Sequence, residues 1–134
     1  MRIALVGAGK MSQAIQALAR ARGVEVVTVI EGRENRAGEA LTQARLGGAE
    51  VVLEFTRPAV AAGNLTRLAQ LGARVVTGTT GWDRHLPEVS AAFAAGGGAL
   101  LHAANFSVGV QLFLRGAERL AAEFRGRPEF EGYI

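Results

Sequence analysis

The 134-residue sequence contains no cysteine. Within it, that excludes a disulfide framework, a thiolate metal site and a cysteine nucleophile. Histidine occurs only at His85 and His102, too few for a multi-histidine metal centre. No stretch approaches the ~18 consecutive apolar residues of a membrane span. The opening run Ile3-Ala4-Leu5-Val6 is broken by Gly7, and is too short for the apolar part of a secretory signal. A cytoplasmic protein is expected. One tryptophan and one tyrosine leave little for stacking on bases. Fifteen basic against 12 acidic residues give a net charge of only +3, and the bases, all arginine except Lys10, are spread along the chain. A nucleic-acid surface needs local density, so neither nucleic acid nor a membrane is expected as a partner.

What is present suits a globular chain: 49% apolar and 20% charged residues, enough for one real core. The length argues for one ordinary domain rather than two complete ones. Short β-rich apolar runs alternate with alanine- and leucine-rich segments. Strands are expected at Ile3–Val6, Val24–Ile30, Val51–Phe55, Arg74–Gly78 and Ala99–Ala103. Between them the spacing predicts helices over Lys10–Arg22, Asn35–Arg45, from Pro58 to Gly72, and over Leu86–Ala95. The first of these would present Met11, Ala14, Ile15, Leu18 and Ala19 on one face and stop at Gly23. Thr56 is a possible cap for the third. Strands of continuous apolar character separated by helices pair in parallel, with right-handed crossovers. The fold expected is therefore α/β, a doubly wound parallel sheet of Rossmann-like type.

The chemistry gathers where strands end. Val6-Gly7-Ala8-Gly9-Lys10-Met11-Ser12 follows the first strand and opens a helix. There Gly7 suits a tight turn, and Gly9 lets a pyrophosphate approach backbone N–H groups at a positive helix end. Ser12 stands at the third glycine position of the usual pattern and is small enough for close helix–strand packing. A bare glycine pattern also makes ordinary turns; its place after the first strand, with Lys10 beside it, favours a nucleotide. Glu31 ends the second strand, 24 residues after Gly7, where an acid accepts the adenosine ribose hydroxyls of NAD. Arg33 and Arg36 lie near enough to meet a 2′-phosphate, so NAD and NADP both stay open. Gly78-Thr79-Thr80-Gly81-Trp82 and Ala103-Ala104-Asn105-Phe106-Ser107-Val108-Gly109 leave the carboxyl ends of strands four and five. Ligands of open α/β sheets bind at such ends.

Glu54-Phe55-Thr56-Arg57-Pro58, Gly78-Thr79-Thr80-Gly81 and Ala104-Asn105-Phe106-Ser107-Val108-Gly109-Val110, in this order, resemble the dihydrodipicolinate reductase family over essentially the whole chain. The resemblance implies that Gly7, Ala8, Gly9, Lys10 and Met11 hold a pyrophosphate, and Glu31 the adenosine ribose. It implies that Gly78, Thr79 and Thr80 meet the nicotinamide side, with Phe55 and Thr56 flanking the cleft. Ala103, Ala104, Asn105 and Phe106 would line the cofactor at the hinge to a second domain. The implied reaction is hydride transfer from NADH or NADPH to 4-hydroxy-tetrahydrodipicolinate, a cyclic dicarboxylate of the diaminopimelate and lysine route. Its proton donors would be a histidine and lysine pair beyond residue 134, and the full-length protein would be a homotetramer. No catalytic residue is then expected within this sequence, and His85 and His102 are read as structural.

Val108 to Phe124 reads as a long amphipathic helix, and Glu129 to Ile134 as an extended segment. The expected division is a dinucleotide-binding domain over 1–106 and, over 107–134, the start of a second, incomplete α+β domain. On this reading the fragment alone is inactive. A stand-alone dinucleotide-sensing module and another nicotinamide oxidoreductase of the same fold remain as alternatives.

Overall fold

The computed structural model describes residues 1–36, 38–125 and 127. The chain divides into two units, Met1–Ala104 and a second beginning at Asn105. In the first, five strands form one parallel sheet: β1 (Arg2–Val6), β2 (Glu25–Ile30), β3 (Val51–Glu54), β4 (Arg74–Thr77) and β5 (Ala99–His102). Their order is β2-β1-β3-β4-β5. The helices are α1 (Lys10–Ala19), α2 (Gln43–Leu46), α3 (Pro58–Gln70) and α4 (Leu86–Gly96), with single 3-10 turns at Arg20–Arg22 and Asp83–His85.

The crossover from β1 to β2 runs opposite to the other three. Right-handed connections therefore set α1 on one face of the sheet and α2, α3 and α4 on the other. The packing follows this division. Leu65, Leu68 and Ala69 of α3 and Val89 and Phe93 of α4 form one core with Ala4, Val6, Val52 and Val75 of the sheet. β1, central and shielded on both faces, has Ile3, Ala4, Leu5 and Val6 no more than 2% exposed. This is the doubly wound Rossmann-like arrangement expected of the sequence.

The register aligns two rows that matter below. At the carboxyl end Ile30, Val6, Glu54, Thr77 and His102 lie side by side across all five strands. One residue back, on the opposite face, run Val29, Leu5, Leu53, Val76 and Leu101. Only α1 belongs to that opposite face within this unit, and Leu101 at its far edge is 56% exposed.

Three local expectations need correction. Among the described residues of the segment Asn35–Arg45, only Gln43 to Arg45 are helical, as part of the short α2. Gly38 takes a left-handed φ of 87°, and the Asn35 side chain accepts from the Ala40 N–H, so the backbone spends its bonds on turns. Thr42 then caps α2 by accepting from the Arg45 N–H. The buried face of α1 keeps Ile15 and Ala19 of the expected one but is shifted away from Met11, Ala14 and Leu18. Met11 and Leu18 are 53% and 58% exposed, while Ser12 and Ala19 are buried, because a helix lying close on a sheet needs small side chains at the contact. Finally, Thr56 does not cap α3. Arg57 occupies the N-cap without a side-chain bond, Pro58 starts the helix, and the Thr56 hydroxyl donates to Glu54 instead.

The second unit contains α5 (Val108–Phe124), whose N-cap Ser107 accepts from the Val110 N–H. No residue of α5 is buried, and Leu112, Phe113 and Leu120 are 63%, 73% and 59% exposed. The extended segment expected over 129–134 lies outside the described residues.

Candidate functional site

Gly7 leaves β1 with φ 101° and places its α-carbon against the next strand's exit. A β-carbon there would stand 2.2 Å from the Phe55 carbonyl oxygen. Two backbone bonds hold this approach, Gly7 N–H to Ile30 O and Phe55 N–H to Val6 O, each 2.9 Å. Gly9 differs. It is the N-cap of α1 in extended backbone (φ −76°, ψ −172°), and nothing lies within 4 Å of where its β-carbon would point. The first α-helical bond is Gln13 N–H to Gly9 O, and no side chain caps the helix start. The N–H groups of the first turn thus face outward, with no acid among them and Lys10 exposed beside them. Such an end attracts an anion, through uncommitted donors and the positive end of the helix dipole.

Phe55 joins this loop to the one after β4. Its ring covers Gly78 so closely that a β-carbon there would lie 2.3 Å from Cε1. Thr56 N–H donates to Thr79 Oγ1 at 2.8 Å, and Thr79 N–H to Thr77 Oγ1 at 3.3 Å. Trp82, fully buried, donates from Nε1 to Thr79 O at 2.7 Å and stacks, tilted by 55°, on His102 with ring centres 4.7 Å apart.

These loops border two clefts at the carboxyl ends of the strands. The first, of 280 Å³, lies between the glycine loop and α3; Ile30, Gly32, Asn35, Arg36, Arg57 and Asn64 are among its walls. The second, of 310 Å³, is lined by Gly9, Lys10, Met11, Phe55, Thr56, Gly78 and Thr79. Gly9, Phe55 and Thr56 belong to both, so the two hollows adjoin over the N-terminus of α1. A third hollow of 330 Å³, at the amino ends of β3 and β4, has no helix N-terminus of comparable length and is bridged by Gln43 donating to Leu71 O.

Of the residues singled out from sequence, Gly7, Ala8, Gly9, Lys10, Met11, Phe55, Thr56, Gly78 and Thr79 line these adjoining clefts. Glu31 does not; its backbone sits just past β2, and its carboxylate pairs with Arg33 Nε at 2.8 Å. Arg36 lines the first cleft. Thr80 is exposed beside Thr79, and Ala103 follows β5 with its N–H donating to Thr77 O. Ala104 closes the first unit. Asn105 and Phe106 open the second, where the Asn105 side chain accepts from the Ser107 N–H and its carbonyl from Gln111 Nε2. His85 accepts from Arg84 Nε and lies 3.5 Å from Glu88, on the surface.

Sequence reasoning missed Glu54, Asn35 and Asn64. Asn35 Oδ1 is committed to the Ala40 N–H, so its Nδ2 donates to Asn64 Oδ1 at 2.8 Å. That fixes the Asn64 amide with Nδ2 as a buried donor lacking a partner, in the wall of the first cleft. A lone asparagine among the buried positions Ala61, Leu65 and Leu68 was the available signal. Among the described residues no group of three or more histidine, aspartate or glutamate side chains could hold a metal, and no helix is long and apolar enough to cross a membrane.

Comparison with known proteins gives the family and the fold. The family described as "Dihydrodipicolinate reductase, N-terminus" matches residues 1–106. A 4-hydroxy-tetrahydrodipicolinate reductase of Nocardia farcinica is 40% identical over 128 residues, 92% of this chain and 50% of that protein. The enzyme of the same name from Streptomyces coelicolor is 36% identical over 92% of this chain and 49% of its own length. That of Bifidobacterium animalis subsp. lactis is 40% identical over 70% of this chain and 36% of its own length. The chain spans about half the length, or less, of the curated relatives it matches. Among solved structures, the WlbA dehydrogenase of Bordetella pertussis, determined with NADH and UDP-GlcNAcA, shares the fold. Its TM-score is 0.62 at 22% identity, over 89% of this chain and 42% of that one. The chain belongs to the dihydrodipicolinate reductase family, whose amino-terminal part it matches.

Proposed function

We propose that this chain binds NADH or NADPH along the two adjoining clefts, as the cofactor-binding part of a reductase acting on 4-hydroxy-tetrahydrodipicolinate. The observation that carries this reading is the uncapped start of α1 beneath Gly9, where a β-carbon would meet nothing within 4 Å. That opening suits a pyrophosphate, with adenosine in the hollow walled by Arg36 and Asn64 and nicotinamide in the hollow walled by Thr56 and Thr79. When bound, the reduced nicotinamide supplies the hydride.

The chain's own residues bind and orient. The first-turn N–H groups of α1 and Lys10 meet the phosphates. Gly78 and Thr79 offer backbone and hydroxyl groups to the nicotinamide side, on a floor set by Phe55. The pairing of Glu31 with Arg33 leaves Arg36 on the cleft wall, so both NADH and NADPH are accommodated. The division of labour is a dinucleotide-binding part over 1–106 and the start of a substrate and assembly domain from 107. Ala103, Ala104, Asn105 and Phe106 would meet the cofactor. The histidine and lysine proton donors implied by the family resemblance lie outside residues 1–134, so this chain binds cofactor without turning over substrate. The longer protein would be a homotetramer in the cytoplasm.

Titration with NADH and NADPH, read as energy transfer from Trp82 to the reduced nicotinamide, tests the binding. Saturable binding of both, lost in Gly9→Asp, is expected. A folded chain that binds neither, or that reduces the substrate at an ordinary enzymatic rate by itself, would overturn the proposal.

A further inference from the structure

We infer that Glu54 is a positioning residue for the nicotinamide-side cleft, acting through the threonines around it. This rests on the dinucleotide reading above. Glu54 ends β3, is wholly buried, and among the described residues has no cationic partner. Its carboxyl group takes two hydroxyls, Thr56 Oγ1 on one oxygen and Thr77 Oγ1 on the other at 2.5 Å.

Each donor leads into a loop. Thr56 belongs to the exit of β3, and its N–H donates to Thr79 Oγ1. Thr77 ends β4, and its Oγ1 in turn accepts the Thr79 N–H. The Glu54 carbonyl accepts the Gly78 N–H at 3.2 Å. One side chain thus closes a ring through Thr56, Thr79 and Thr77, and the cleft walls Thr56 and Thr79 are both members of it.

A buried carboxyl group is a poor choice for a strand end if cohesion is all that is needed. Val6 stands beside it in register, and a β-branched apolar side chain would fill such a position at less cost. What Glu54 adds is direction. It turns both threonine hydroxyls inward, so Thr79 Oγ1 and the half-buried backbone of Gly78 keep one orientation at the cleft wall. Glutamine keeps the shape but offers one acceptor oxygen and an NH2, so one of the two threonines can no longer donate to residue 54 and must accept from it instead, which changes the direction of the ring's hydrogen bonds. The adenosine-side cleft contains no part of the ring except Thr56.

The discriminating experiment is calorimetric titration of the whole chain with NADH and with ADP-ribose, which lacks the nicotinamide. In Glu54→Gln, NADH should bind about tenfold more weakly, the scale of one lost hydrogen bond, while ADP-ribose changes by less than about twofold. Thr77→Val, which removes the hydroxyl and keeps the volume, should give the same selective loss, and it decides the matter if Glu54→Gln does not fold. Equal losses for both ligands, or no loss for either, would show Glu54 to be structural only. If the unsubstituted chain binds neither ligand, the dinucleotide reading falls and this inference with it. If it binds both and the variants keep the unsubstituted ratio, this inference alone is wrong.

Discussion

The two glycines of the first loop are needed for different reasons, and substitution separates them. Gly7 combines φ 101° with a backbone oxygen 2.2 Å from the place of a β-carbon, so Gly7→Ala must push β1 and β3 apart at their exits. A loss of about 3 kcal/mol or more is expected, seen as a fall in the denaturation midpoint. Gly9 has a β-compatible φ and open space. Gly9→Ala should cost the fold only about 0.5–1 kcal/mol, yet weaken NADH at least about tenfold, because the methyl fills the path to the helix N–H groups. Equal stability losses in the two variants would contradict this assignment.

At the scale of elements, the turn after β2 carries a pH signature. The Glu31 N–H and the Arg45 guanidinium, the latter at 2.6 Å, both bond to Glu34 and hold its carboxyl below the usual glutamate range. Folding therefore favours the ionised form. This contribution is complete above the unfolded-state pKa and is lost as pH falls through the lowered folded value. The Glu31 amide resonance should titrate with Glu34 below the ordinary carboxylate range, and Arg45→Ala should move its midpoint upward. A midpoint unchanged by that substitution would remove Arg45 from the account.

The same elements show what the sequence made legible. All five strands and four of the helices follow from apolar runs and their breakers, as does the placing of the Gly7–Gly9 and Gly78–Thr79 loops at strand exits. The helix expected over Asn35–Arg45 failed because alanine content says nothing of Asn35, whose bond to Asn64 spans 29 residues. The face of α1 was legible only in part: Ile15 and Ala19 lie inward as expected, but Ser12 takes the place given to Met11, Ala14 and Leu18, because periodicity fixes the spacing of a face and not its centre. Glu54 stayed hidden for a related reason. Its partner Thr77 lies 23 residues away, and register alone brings them together.

For the molecule as a whole, apolar surface remains to be covered. Leu101 is exposed on the first unit, and Val108, Leu112, Phe113 and Leu120 on the second. An amphipathic helix draws its stability from packing, so the isolated chain should self-associate with rising concentration. Light scattering should show this, and Leu112→Glu with Phe113→Lys should suppress it without changing NADH affinity. An equally monodisperse parent chain would refute the expectation.

The place of β1 between β2 and β3 also orders events in time. Its partners on either side, β2 and β3, come later in the chain, and each must wait until the connection before it has been made. Parallel pairing offers no short hairpin from which to start, so the search is slow. In order of emergence β1 is complete on both edges once β3 arrives, β3 once β4 does and β4 once β5 does, so the open edge passes from strand to strand and each in turn needs protection until its successor reaches it.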